Sequence, residues 1–219
     1  MNFSKRFGLF LISFFVMTCF LGQFVSDDAF GQQSYSLSLY DAYVTNGWVL
    51  PDIQGAYSGS DTYVNLETGN GVFFGRCIEI EVQNLVDATL YITVNLGRIL
   101  ECTESGIQNM VVTQDYSFTL LPYETETINV YAMCMNMYED SPVEYVYYDL
   151  GPICNGDVYD VVTEISESGS QDAAGQCSVW AVTDSADGDY LRNYGASDDD
   201  IYSAQGILDN AGVSYNIEQ

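Results

Sequence analysis

Hydrophobic and polar residues alternate in several short segments of the chain, which is the pattern of half-buried β-strands. In the segment "QSYSLSLYDAYV", Tyr35, Leu37 and Leu39 fall on one face, and serines fall on the other. Turn-forming stretches such as "GSD" and "ETGNG" separate such segments at intervals of roughly 8 to 12 residues. Regular short strands of this kind predict an antiparallel β-sandwich or barrel. The alternating segments are residues 33–44, 76–85, 88–99, 115–122 and 126–137.

Apolar spacing changes from two residues to that of a helix after Cys154. Three segments show it, and the clearest is "SDDDIYSAQGILDNAG", where Ser197 or Asp198 is suited to the N-cap and Gly212 to the C-terminal cap. The following "VSYNI" predicts a last strand. The predicted fold is therefore mainly β, an antiparallel β-sandwich with a C-terminal helical segment (α+β). The helical segments are residues 156–168, 171–184 and 197–212.

Two stretches carry strand, corner and strand in quick succession, namely "VQNLVDATLYITV" and the proline-containing "FTLLPYETETINVYA". Both are similar to the turns of exported immunoglobulin-like β-sandwich modules. The resemblance covers residues 72–138 and implies a sandwich in this part of the chain.

The first residues have the features of an export signal. Lys5 and Arg6 precede an apolar run at residues 7–25, and small residues at Ala29 and Gly31 suit cleavage after Gly31. We therefore predict a signal peptide at 1–31, a β-sandwich domain at 32–154, and a helical segment packed on it at 155–219. The run is about long enough to span a bilayer, so an uncleaved anchor is the alternative. The expected location is secreted or at the cell surface, with no membrane contact after cleavage.

The charge of the chain restricts its partners. Its formal net charge is −26, with 31 acidic and 5 basic residues. Such a surface repels nucleic acids and anionic membranes. It favours cations, basic partners, or a saline or acidic medium in which the self-repulsion is suppressed.

The absence of histidine excludes much of catalysis. Ser-His-Asp and Cys-His mechanisms need an imidazole base, and histidine-ligated zinc hydrolysis is excluded in the same way. A carboxylate-based hydrolase is the remaining enzymatic alternative. We expect a protein that is not an enzyme.

Five cysteines follow the predicted cleavage site, and an exported chain tends to oxidise them. We expect at least two of the five to be disulfide-bonded, Cys102 and Cys154 among them because both lie in loop-like contexts, and the sequence leaves the connectivity open. All five cysteines are candidates: Cys77, Cys102, Cys134, Cys154 and Cys177.

No cofactor is required by any motif, but two kinds of metal site are alternatives. Acidic residues cluster before the last helix, and they suit calcium although the spacing departs from the EF-hand pattern. The calcium candidates are Asp184, Asp187, Asp189 and Asp198.

The second metal alternative is copper(I) at "YAMCMNMYED", where Met133, Met135 and Met137 alternate around Cys134. Successive residues on one strand face lie about 6 to 7 Å apart, so three thioethers converge poorly on one ion. We expect packing instead, with the methionines covered by the helical tail around Trp180.

These observations together predict an exported, acidic, non-enzymatic protein for structure, adhesion or binding of a protein or cell-surface partner. The alternatives are a filament subunit in which residues 35–44 add to a neighbour's sheet, a calcium- or copper-binding module, and the carboxylate-based hydrolase.

Overall fold

The computed structural model describes residues 25–27, 33–55, 62–64, 72–142 and 145–217. The predicted leader lies outside these residues except for 25–27. Within them the chain forms eleven β-strands followed by four α-helices. The strands are Val25–Asp27 (β1), Gln33–Ser38 (β2), Val49–Gly55 (β3), Thr62–Val64 (β4), Val72–Asn84 (β5), Thr89–Val94 (β6), Arg98–Cys102 (β7), Met110–Val112 (β8), Tyr116–Leu120 (β9), Thr125–Cys134 (β10) and Tyr148–Ile153 (β11).

The strands form a small sheet and a large sheet. The small sheet has the order β1-β2-β6-β9, and the large sheet has the order β11-β7-β8-β10-β5-β3, with β4 added to β5. Neighbouring strands are antiparallel except β2 and β6, which run parallel. The expectation of a wholly antiparallel fold is therefore wrong at this pair.

One hydrophobic core joins the two sheets. Leu90, Ile92 and Leu120 of the small sheet belong to the same buried cluster as Ile78 and Ile80 of the large sheet. All five side chains are fully buried. The fold is thus mainly β, with the C-terminal helices packed on the β part, as the sequence predicts.

One predicted strand ends earlier than expected, and another does not form. The strand predicted over residues 33–44 stops at Ser38, and a helical stretch with a π-helical turn at Asp41–Thr45 follows. The Ser38 hydroxyl accepts a hydrogen bond from the Asp41 backbone N–H (3.0 Å) and donates one to its carboxylate (2.8 Å), which fixes the start of this helix. Residues 213–217, predicted as a last strand, have no regular structure.

The predicted strand over residues 88–99 is two strands. A turn at residues 95–97 interrupts it, closed by the Arg98 N–H to the Asn95 carbonyl (3.2 Å), with Gly97 at a φ of +74°. This turn sends β6 into the small sheet and β7 into the large one.

The three predicted helical segments are confirmed, and a fourth, short helix that the sequence analysis did not predict lies between the last two. Four helices occupy the C-terminal part: Asp157–Ser168 (α1), Ala173–Asp184 (α2), Gly188–Asn193 (α3) and Asp198–Asn210 (α4). Ser197 caps α4 in a capping box with Asp200. Helix α2 packs against α4 on one side and against β10 and β5 on the other, so it connects the tail to the large sheet.

Candidate functional site

The methionine-rich end of β10 lies beneath the helices. Met133 and Met137 are fully buried, and Met135 is half-buried. Helix α2 comes so close that a Cβ at Gly175 would lie 2.7 Å from Cε of Met133. The packing interpretation of the stripe is confirmed. Helix α2 is the predicted partner, and it makes this contact at Gly175.

A buried glutamine joins the same helix to the same strand. The Gln176 side-chain amide donates to the Cys134 carbonyl (2.8 Å), and its oxygen accepts from the Cys134 N–H (2.9 Å). This amide thus completes the hydrogen bonds of the strand end as a neighbouring strand would. The contact holds α2 in one register on β10.

The five cysteines among the described residues are all free thiols in the structure. The disulfides expected from the sequence stay a prediction. Four of the five are buried, and Cys102 is half-buried. The Cys134 thiol contacts the Met110 sulfur at 3.5 Å, and the Cys77 thiol donates to the Ala132 carbonyl (3.4 Å). Burial raises the pKa of Cys77 and of Cys177 to about 12. These thiols serve as small apolar core residues.

Each of the four calcium candidates makes a hydrogen bond or a salt bridge within the protein. Asp187 caps α3 by accepting from the Tyr190 N–H (2.9 Å), and Asp184 accepts from the Met137 N–H (3.1 Å). Asp189 and Asp198 come together, but on the guanidinium of Arg192, at 3.1 and 2.9 Å. Among the residues that the structure describes, no group of three or more acidic, cysteine or histidine side chains is arranged to hold a metal. Calcium binding by these residues stays a prediction.

The outward face of the small sheet carries a regular array of hydroxyl groups. Cross-strand partners share a face, and the pairing places Ser36, Tyr91 and Thr119 in one row across β2, β6 and β9. A second row consists of Ser38, Thr93 and Ser117, in which the last two hydroxyls lie 2.9 Å apart. We call these six side chains the hydroxyl face.

Most of the hydroxyl face is open to solvent, while Ser38 and Thr93 are half-buried. Ser36, Ser117 and Thr119 are exposed, and the ring of Tyr91, near the middle, is 47% exposed. An open groove runs along this face, and Asn95 adds an amide at one end of it.

The six side chains of the hydroxyl face are uncharged, although the Ser38 hydroxyl at its edge donates to the Asp41 carboxylate (2.8 Å). Strands β2, β6 and β9 contain no acidic or basic residue. Most strands of the large sheet do contain acidic residues, so they differ in charge from β2, β6 and β9. Those residues are Asp52, Glu79, Glu81, Glu101, Glu126 and Asp149.

The sequence carried part of this signal, since the alternation in β2 places its serines on one face. The sequence does not indicate which strands are neighbours, because β2 and β6 are distant in the chain and run parallel. Their hydroxyls meet those of β9 only in the folded sheet.

Comparison with known proteins adds no relative: no protein-family model, curated protein or solved structure matches this chain. No helix among the described residues is long and apolar enough to cross a membrane. Functional inference therefore depends on the chemistry of the surface.

Proposed function

We propose that this chain is an exported, non-enzymatic surface protein that binds its partner through the hydroxyl face. The observation that carries the proposal is the uncharged array of six hydroxyls on a chain of net charge −26. Burying such a face against a partner removes no charge from water, whereas burying the acidic faces elsewhere does.

The fold supports this role. We propose that the two sheets form a β-sandwich, because one core cluster fills the space between them. The large sheet is braced on α2 through Met133 and Gln176, so it acts as a rigid support. The small sheet then presents its outward face on this support, as binding sites on regular elements require.

The experiment measures retention of the mature protein, from Gln32 onward, on envelopes of the cells that produce it. Ser36→Glu places one negative charge on the hydroxyl face, and Ser203→Glu places the same charge at an exposed position of α4. We expect Ser36→Glu to weaken retention about tenfold or more, because a buried unpaired charge is costly. Ser203→Glu should leave it unchanged. Equal retention of both variants, with equal thermal midpoints, would contradict the proposal.

A second candidate function is a filament subunit, and the position of β1 favours it. Strand β1 lies within the predicted leader and pairs with β2 at Val25↔Tyr35, Ser26↔Ser34 and Asp27↔Gln33. Cleavage after Gly31 removes β1 and leaves the outer edge of β2 unpaired. Because the other edge of β2 is paired with β6, this strand would receive a neighbour's strand rather than donate itself.

Electron microscopy compares the chain that begins at Gln32 with the full chain. The filament candidate requires fibres from the shorter chain alone. Discrete particles from both chains, across salt and pH, would exclude it.

A further inference from the structure

We infer that the partner held by the hydroxyl face is a neutral polysaccharide. The inference rests on the proposed function and specifies the ligand of the same surface. Four properties of the face lead to it: its charge, its hydrogen-bonding groups, its spacing and its one aromatic ring.

The charge excludes most other polymers. A polyanion is repelled by the net charge of −26. A polycation is drawn to the acidic strands of the large sheet and to the acidic start of α4, and not to strands β2, β6 and β9, which contain no charged residue. A neutral polymer is the class for which an uncharged face on an acidic protein offers an advantage.

The hydrogen-bonding groups match sugar hydroxyls. Each serine, threonine or tyrosine hydroxyl both donates and accepts, and sugar hydroxyls do the same. A hydroxyl pair can therefore form in either direction, so the face tolerates several ring orientations. The 2.9 Å contact between Thr93 and Ser117 shows that neighbouring hydroxyls of the face are close enough to bind one sugar group together.

The spacing fits a repeating ligand. Adjacent strands lie about 4.8 Å apart, and successive residues on one face of a strand lie about 6 to 7 Å apart. A polymer of pyranose rings presents hydroxyls repeatedly along its length, so several rings can meet the two rows at once.

The ring of Tyr91 supplies an apolar surface for stacking, which hydroxyl groups cannot provide. It stands at the centre of the row Ser36, Tyr91 and Thr119 and is nearly half exposed. Sugar rings stack their C–H faces on aromatic rings, and tyrosine adds a hydroxyl at its tip. A protein partner is less well matched, because serine and threonine are under-represented among the residues that dominate protein–protein affinity.

The test uses envelopes of the producing cells that are pretreated in two ways before the mature protein is added. Periodate cleaves the vicinal diols of sugars, and a protease removes surface proteins. We expect retention to be lost after periodate and kept after protease. We also expect no loss of retention as sodium chloride rises to about 1 M, because no ion pairs are involved.

Substitutions at Tyr91 show whether the sugar binds at this face. Tyr91→Ala should weaken retention about tenfold, whereas Tyr91→Phe keeps the ring and most of the binding. Tyr202→Ala, on α4 at a position 73% exposed, is the matched control and should have no effect.

The outcomes separate this inference from the proposed function. One outcome is that Ser36→Glu weakens retention, while retention is lost after protease and kept after periodate. This outcome excludes a polysaccharide ligand and leaves the proposed binding face in place. Retention that is insensitive to Ser36→Glu overturns both. Periodate-sensitive retention that Tyr91→Ala does not change places the sugar elsewhere and overturns the inference.

Discussion

Met133 connects the β part of the chain to its helical tail. Its side chain is fully buried, and its methyl group lies directly beneath Gly175 of α2. The neighbouring Met135 is only half-buried on the same strand end. The two methionines therefore form a matched pair, with the same chemistry and different burial.

We expect Met133→Ala to lower the free energy of unfolding by about 2 to 5 kcal/mol, because it opens a cavity between α2 and β10. Met135→Ala should cost roughly half as much or less, since part of its side chain is already in water. Urea denaturation measures both values. Met133→Leu keeps most of the volume and serves as the control. Equal losses for the two alanine variants would show that Met133 does not connect the two parts.

The thiols give a second prediction for single residues. Burial raises the pKa of Cys77 and Cys177 to about 12 and that of Cys154 to about 11, so these thiols form almost no reactive thiolate near neutral pH. Cys102 is the most exposed of the five. Iodoacetamide should therefore label Cys102 first in the native protein and the other four only after unfolding. Mass spectrometry of exported material that finds fewer than five labelled thiols after unfolding without a reductant would instead support the disulfides expected from the sequence.

The role of a single residue could be predicted from the sequence only where it depends on residues close to it in the chain. The cap of α4 was predictable, because Ser197 and Asp200 lie three residues apart in the chain. The salt bridge from Arg192 to Asp198 was not recognised, because acidic residues are too numerous for any pair to stand out. The pairing of the cysteines was not predictable, since alternation does not give the distance between two cysteines on different strands.

Two helical glycines give a prediction at the level of elements. A Cβ at Gly175 would overlap the Ser170 carbonyl oxygen and press on Met133, whereas a Cβ at Gly206 of α4 would meet nothing within 4 Å. Gly175→Ala should thus destabilise the protein and loosen α2 from β10. Gly206→Ala should stabilise it by up to about 1 kcal/mol, because alanine favours a helix over glycine.

Thermal unfolding of the two glycine variants measures this difference. Midpoints that move in opposite directions are the expected result. A neutral Gly175→Ala would show that α2 does not pack on the strand as closely as described.

Elements with clean periodicity were predicted, and those with mixed surroundings were not. Strand β10 and helix α4 each bury a regular face, so their sequences show the period. Strand β8 is buried on both faces and has only three residues, so it shows no alternation. The stretch after Ser38 alternates like a strand but is helical, because the Ser38 and Asp41 side chains start a turn there.

The net charge governs the behaviour of the whole molecule. The salt bridges found among the described residues both involve Arg192, while Arg98 is buried and Arg76 lies over the Tyr131 ring. Most carboxylates are therefore without a basic partner to offset their repulsion. We expect the thermal midpoint to rise between low and molar sodium chloride near neutral pH.

Calorimetry measures the thermal midpoint in sodium and in calcium salts of equal ionic strength. The comparison separates general screening of charge from specific calcium binding. A midpoint that does not change with salt contradicts the repulsion argument. A rise with calcium far beyond that of sodium at equal ionic strength would support the predicted site at Asp184, Asp187, Asp189 and Asp198.

The hydroxyl face belongs to the whole molecule, because no single segment contains it. It requires the parallel pairing of β2 with β6 and the antiparallel pairing of β6 with β9. The sequence indicated a β fold and serines on one face of β2. It could not indicate that three uncharged strands would lie side by side, since strand order depends on contacts between distant residues.

Hydroxyl-radical footprinting of the tyrosines tests the binding face most directly, because exposed tyrosines are distributed over the molecule and serve as internal controls. The mature protein is oxidised free and while bound to envelopes of the producing cells, and modification is read at each tyrosine by mass spectrometry. Tyr91, Tyr190 and Tyr202 are 47%, 49% and 73% exposed in the free protein. The account predicts that binding protects Tyr91 and leaves Tyr190 and Tyr202 as reactive as before. Protection of Tyr190 or Tyr202 with Tyr91 unchanged would contradict it.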